Sequence, residues 1–347
     1  MRTPRLFENA VCVAGLAVAS LCPVAAEGPY HVIKRIPIAG DTGWDYITAD
    51  TDGRRLYVPH GTELVVLDLD SGAAAGKITG QKNVHGVAVA RDLGRGFVDA
   101  TDPGSVTVFD LKTLAVIEKV RVGDDPNGIV YDPTTHRVFS ADRGSKRITA
   151  IDAATAKVVA TSADLGGRTE HLAADGAGHV FLNMQDRGTL VKLDARDLKV
   201  METWPVAGCG QPSSMDIDRV HQRVFIGCRS GELAVVDGTT GTIVATHPIG
   251  LGVDALEFDP ANGLIFVSTG GGGGVLSIFH QDGPDTYSLV ESVKTLPGAR
   301  TMALDHKSGM VYLPVADVGP VPAATAENPR PRARTVAGSF SVLVVGR

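Results

Sequence analysis

The 347-residue sequence is poor in aromatic rings, which make up 5% of it. That argues against a broad stacking platform for sugars or nucleobases. It also lacks an excess of basic charge. With 33 Lys and Arg against 39 Asp and Glu, the formal charge is −6, so a uniformly basic nucleic-acid footprint is absent. The four cysteines form neither CxxC nor CxxCH, which removes a thioredoxin-type redox motif and a c-type haem attachment. A set of copper ligands is lacking too, and no histidines are paired as H-x-H or H-x-x-x-H. The most continuous apolar run, residues 11–24, is shorter than the roughly 20 residues of a membrane-spanning helix.

That run has the features of a secretory signal. Arg2 and Arg5 precede it, and Val24-Ala25-Ala26 offers small residues for cleavage before Glu27. Leu21 stands where a lipoprotein would need a small residue before Cys22. The sequence therefore predicts a signal over 1–26 and one exported domain over 27–347, periplasmic or secreted, with no membrane span. Cys12 and Cys22 would leave with the signal. Cys209 and Cys228 remain, and an even pair in an oxidising compartment predicts a disulfide between them.

What the chain has in quantity is repetition. Short apolar strings end at Asp68, Asp110, Asp152, Asp194 and Asp237, with spacings of 42, 42, 42 and 43 residues. A sixth copy ends at His280, 43 residues on, and a seventh, VLVVG, closes the sequence. A period of about 40–45 residues marks sheet units arranged in a ring, since one unit cannot bury both of its faces alone. Each unit parses into four strands. The first carries an apolar anchor at Ile47, Val87, Ile129, Leu172, Met215, Leu256 or Met302. The second carries an aromatic at Tyr57, Phe97, Phe139, Phe181, Phe225, Phe266 or Tyr312, read as packing between units. The string HVIKRIPIAG (31–40) matches the fourth strands VIEKVRVGD and IVATHPIGL, yet precedes the first unit. It supplies the outer strand that the last unit lacks. The expectation is an all-β, seven-bladed β-propeller with four antiparallel strands per blade, closed by its N-terminal strand.

Two segments break the period. Gly270 to Gly274 is expected to turn between the second and third strands of blade six; no Lys-Ser/Thr follows it, as a phosphate-cradling loop would require. A Pro-rich insertion at about 317–338 is expected to be an extended surface loop, with Pro320, Pro322, Pro329 and Pro331 opposing regular pairing. The strand-end aspartates are expected to accept backbone N–H groups from the following turns.

The string DGRRLYVPHG (52–61), followed by LVVLDLDSG, resembles the YVTN β-propeller repeat family, also called YncE-like. The match is strongest in blade one, recognisable in blades two, three and five, and departs in blades four, six and seven. The resemblance implies a seven-bladed, exported propeller. Members of that family have been linked to single-stranded DNA binding, surface attachment and redox- or metal-associated operons. The Gly-His and Trp-Asp hallmarks of WD repeats are absent from the sequence.

In propellers, ligands meet the axial funnel, where first strands and the loops before them converge. The residue two before each anchor gives one column of that rim: Asp45, His85, Asn127, Glu170, Ser213, Asp254 and Arg300. With His171 these are the candidate ligand-binding residues; no residue is assigned a catalytic role. The leading expectation is a monomeric, non-catalytic module that binds a small ligand or a periplasmic or cell-surface protein through its funnel. One alternative is a lactonase- or lyase-type enzyme using a divalent metal held by His85, Glu170, His171 and Asp254 near Asp45. Another is a single-stranded nucleic-acid binder using Arg143, Lys146 and Arg147 with Arg168 and Arg187.

Overall fold

A computed structural model describes residues 29–40, 43–323, 325 and 334–347; the expected signal over 1–26 and much of the insertion lie outside these. The described residues form seven antiparallel sheets of four strands each. The innermost strands of the seven sheets are β2 (Thr48–Asp50), β6 (Val84–Ala90), β10 (Pro126–Asp132), β14 (Thr169–Ala174), β18 (Pro212–Asp218), β22 (Val253–Asp259) and β26 (Ala303–Asp305). Six sheets run in simple sequence order from inner to outer strand. The seventh runs β26, β27 (Met310–Val315), β28 (Ser341–Gly346), then β1 (His31–Pro37). The register of β1 on β28 extends from His31 opposite Gly346 to Pro37 opposite Ser341. The N-terminal strand thus completes the last blade, and the ring has no free inner seam.

The repeat explains how the blades adhere. Tyr57, Phe97, Phe139, Phe181, Phe225 and Phe266 are at most 1% exposed and Tyr312 3%. Each enters an apolar cluster shared with the next blade. Phe181 packs among Met215, Val224 and Ile226 of blade five, and Tyr312 packs with Ile47, Leu56 and Val58 of blade one. Burying a ring of that size against an apolar neighbour is the dominant favourable contribution to such an interface.

The strand-end aspartates act as expected. Asp68 accepts the Ser71 N–H at 2.8 Å, Asp110 that of Thr113 at 2.7 Å, and Asp152 that of Thr155 at 2.7 Å. Asp194 and Asp237 accept two backbone N–H groups each. Each of these turns ends on a residue of positive φ: Gly72, Leu114, Ala156, Leu198 or Gly241. A second set of aspartates ends the innermost strands. Asp50, Asp132, Asp218, Asp259 and Asp305, with Asp175 just past β14, are nearly buried and accept N–H groups or hydroxyls from the turns that follow. Three of them also tie blades together, Asp218 by accepting from Gln281 of blade six at 2.9 Å. The Arg54 guanidinium reaches Asp305 across the ring seam at 2.9 Å, and Arg91 reaches Asp50 at 2.8 Å.

Gly270 to Gly274 does separate the second and third strands of blade six, β23 (Leu264–Thr269) and β24 (Val275–Gly283). The insertion is less open at its base than its prolines suggest. Val318 bridges Thr335, Gly319 N–H donates to the Arg334 carbonyl, and Val336 N–H donates to that of Asp317. His60, the last residue of β3 (Arg55–His60), is 2% exposed and stacks on Phe340 at 4.4 Å.

Candidate functional site in the axial funnel

The innermost strands enter the ring from the same end, so the residues at their starts converge there. Six of the seven predicted rim positions line one cavity of about 390 Å³: Asp45, His85, Asn127, Glu170, Asp254 and Arg300. Tyr46 and three further arginines, Arg143, Arg168 and Arg229, complete the wall. Ser213 is not part of the lining; it is buried and accepts a hydrogen bond from Gln185 Nε2 at 2.9 Å. His171 lies one level deeper. Its ring meets the edge of Tyr46 at 5.2 Å and faces a second cavity of about 260 Å³, lined largely by the apolar first-strand anchors. Tyr46 borders both spaces and divides the charged chamber from the apolar channel.

The chamber is layered. The carboxylates are deep, with the Glu170 side chain 4% and that of Asp254 8% exposed, whereas the Arg168 side chain is 46% exposed. Arg300 Nε donates to Asp254 at 2.7 Å, and Asn127 Nδ2 donates to Glu170 at 3.3 Å. Arg168 approaches the other Glu170 oxygen at 3.6 Å, and Arg229 the other Asp254 oxygen at 3.5 Å. Both distances exceed a good charged hydrogen bond. Glu170 Oε2 and Asp254 Oδ1 are accordingly buried without a hydrogen-bond partner.

His85 sits in a relay. Its Nδ1 is 2.6 Å from Asp45 and its Nε2 is 2.7 Å from Thr101 Oγ1, while the Thr101 hydroxyl donates to Asp125 at 3.1 Å. A hydroxyl has one proton; having given it to Asp125, Thr101 can only accept from His85. Both ring nitrogens are therefore placed to donate, which favours the imidazolium. Burial opposes that charge, but Asp45 and the field of Asp99 outweigh it and raise the His85 pKa. Arg143 completes the group with two hydrogen bonds to Asp125, at 2.6 and 2.9 Å.

Burial sets the other protonation states. Glu170 is pushed up to about 7, by burial first and then by Asp254, against the pull of Arg168 and Arg143. Burial also raises Asp254, with Arg300 and Arg229 opposing it. Tyr46 is raised well above its ordinary value by burial and by Asp254, Glu170 and Asp45. His171 is depressed to about 4 by burial and stays neutral.

This arrangement does not assemble the metal set considered from sequence. Among the described residues, no group of three or more His, Cys, Asp or Glu side chains is placed to hold a metal ion. His171 is separated by Tyr46, and Asp254 and Glu170 face arginines. The basic patch is divided as well. Arg143 and Arg168 line the chamber, Lys146 and Arg147 are exposed, and Arg187 donates to the Gly166 carbonyl at 2.6 Å beside a different groove. Cys209 and Cys228 are joined by a disulfide with Cα atoms 5.2 Å apart. It pins the loop before β18 to the end of β19 (Arg223–Cys228), next to Arg229.

The sequence column missed Arg143 and Arg229, but the same period contains them. The residue following each second strand is Gly61, Thr101, Arg143, Gln185, Arg229, Gly270 or Ala316. Four of these either line the chamber or bond a rim residue.

No protein-family description matches the chain, and no curated protein matches it in sequence. Solved structures resemble it in fold. The WD40 repeats of RRP9 align with a TM-score of 0.76 at 10% identity, covering 91% of this chain and 98% of that one. U3-55K aligns at 0.73 and 10% identity, covering 92% and 98%. Hydrazine synthase of Kuenenia stuttgartiensis aligns at 0.67 and 16% identity, covering 86% and 97%. At such identities the likeness is one of architecture. The chain has a seven-bladed, WD40-like propeller fold without the WD sequence hallmarks.

Proposed function

We propose that this protein is an exported, non-catalytic binding module that takes a small charged ligand in its axial chamber. The observation carrying this reading is the pair of deeply buried carboxylate oxygens, on Glu170 and Asp254, left without hydrogen-bond partners beneath arginines that do not reach them. An unpaired buried carboxylate oxygen costs stability. A site retained only for packing would be expected to satisfy or remove it. The chamber volume also falls within the roughly 300–1,000 Å³ of small-molecule sites. Export is supported by the signal-like residues 1–26 and by the disulfide, which suits an oxidising compartment. The YVTN resemblance agrees with both.

The test is a thermal-shift screen of the mature protein against small charged metabolites, repeated with Arg300→Met. A ligand that stabilises the native protein and not the variant supports the reading. A screen in which no compound discriminates between the two would refute it. A metal-dependent lactonase reading gains no specific support, because among the described residues no group of three or more His, Cys, Asp or Glu side chains is placed to hold the metal.

A further inference from the structure

Resting on that reading, the structure assigns the ligand to a chemical class: we propose that the chamber binds a small zwitterion, an amino acid or short peptide, with its ammonium inward and its carboxylate at the mouth. The charges in the chamber are balanced. Four guanidiniums and the His85 imidazole, both of whose nitrogens are placed to donate, face Asp45, Glu170 and Asp254, with Asp125 and Asp99 directly behind. Positive and negative groups are equal in number when all are ionised. A ligand with a net charge would leave one sign uncompensated in a largely buried space, whereas a zwitterion preserves the balance.

The charges are also layered. The carboxylates form the floor and the more exposed guanidiniums the mouth. Glu170 Oε2 and Asp254 Oδ1 are covered by Arg168 and Arg229 at 3.6 and 3.5 Å, too long for strong pairing. Those two arginines lack the tight hydrogen bonds that fix Arg143 to Asp125 and Arg300 to Asp254. A ligand carboxylate draws Arg168 and Arg229 outward into bidentate contact and uncovers both floor oxygens. Its ammonium then donates to them. The ligand exchanges two long ion pairs for shorter ones at each of its ends, an exchange that an anion or a cation alone completes at one end only.

The test is titration calorimetry of the mature protein near pH 7.5. The probes are the standard amino acids and their dipeptides, beside matched N-acetyl acids (anion only) and matched amides (cation only). The expected result is binding of at least one zwitterion, with both matched analogues weaker by tenfold or more. Glu170→Gln should weaken the zwitterion by about tenfold without weakening its N-acetyl acid. If an N-acetyl acid or an amide binds as tightly as its parent, the zwitterion assignment falls while the chamber remains a binding site. If no probe of any charge type binds, both the assignment and the binding reading fall.

Discussion

Glu170 separates a functional rim from a structural one, because the two roles demand opposite responses to a single isosteric change. Its side chain is 4% exposed and its carboxyl titrates at about 7, against an ordinary value of 4.5, mainly because burial penalises the anion. Between those two pH values the folded state holds a proton that the unfolded chain has lost, so stability falls as pH rises through that window. A shift of this size corresponds to about 3 kcal/mol, fully lost above pH ~8 and absent below pH ~4. Glu170→Gln keeps the shape and the acceptor for Asn127 but cannot ionise. It should therefore stabilise the ligand-free protein by about 3 kcal/mol at pH ~8 and change little at pH ~4. With an unfolding entropy of about 2.1 cal/mol/K per residue, the melting temperature rises by roughly 4–5 °C at the higher pH. Differential scanning calorimetry across that range reads the effect directly. A lower melting temperature for the variant at pH ~8 would refute the reasoning, because it would make Glu170 a tie between blades rather than a cost carried for binding.

His85 shifts stability in the same direction. Its raised pKa contributes stability that is complete below the ordinary value of 6.5 and lost as pH rises through the folded value, so His85→Gln should flatten the remaining alkaline slope in the same scans. Phe181→Ala, which empties the interface between blades four and five, should cost about 3–5 kcal/mol by denaturant titration. Asp152→Ala removes the acceptor for the Thr155 N–H and hydroxyl and should cost about 1 kcal/mol without altering the chamber. Reducing Cys209–Cys228, which closes a separation of 19 residues, should lower stability by about 3 kcal/mol, measured as the shift in urea midpoint with and without reductant.

The architecture was legible because each blade rewrites the same physical requirement. An aromatic must fill the space against the next blade, and an aspartate must satisfy the turn after the third strand, so Phe139 and Asp152 recur at 42 residues as Phe181 and Asp194. The rim was legible for the same reason in reverse. A position that the fold leaves free of packing demands was occupied by seven polar residues of varied type. Arg168 escaped that reading because it precedes the rim column by two residues and reaches the chamber by its length. Ser213 was misplaced because its short side chain turns to Gln185 instead of the axis. His171 follows Glu170 directly, but it lies one level deeper, against Tyr46 and the apolar channel, so the two do not share one chamber. The buried inner-strand aspartates, such as Asp305, carry nothing in the sequence that sets them apart from ordinary turn residues. Only their environment reveals that one of them carries an ion pair across the seam.

The closing strand has a consequence for how such a chamber would be used. Its wall is drawn from all seven blades, so the chamber exists only while the ring is shut, and the pairing of β1 with β28 is what shuts it. A molecule seated at the hub must leave before the rim can splay, so occupancy and closure are reciprocally linked. Ligand at a hundred times its dissociation constant would add about 2.7 kcal/mol against any opening that destroys the site. Amide exchange at Val342 to Val345 and at Ile36, remote from the chamber, would then slow when the hub is filled, and the seam would serve as a distant gauge of what the axis holds.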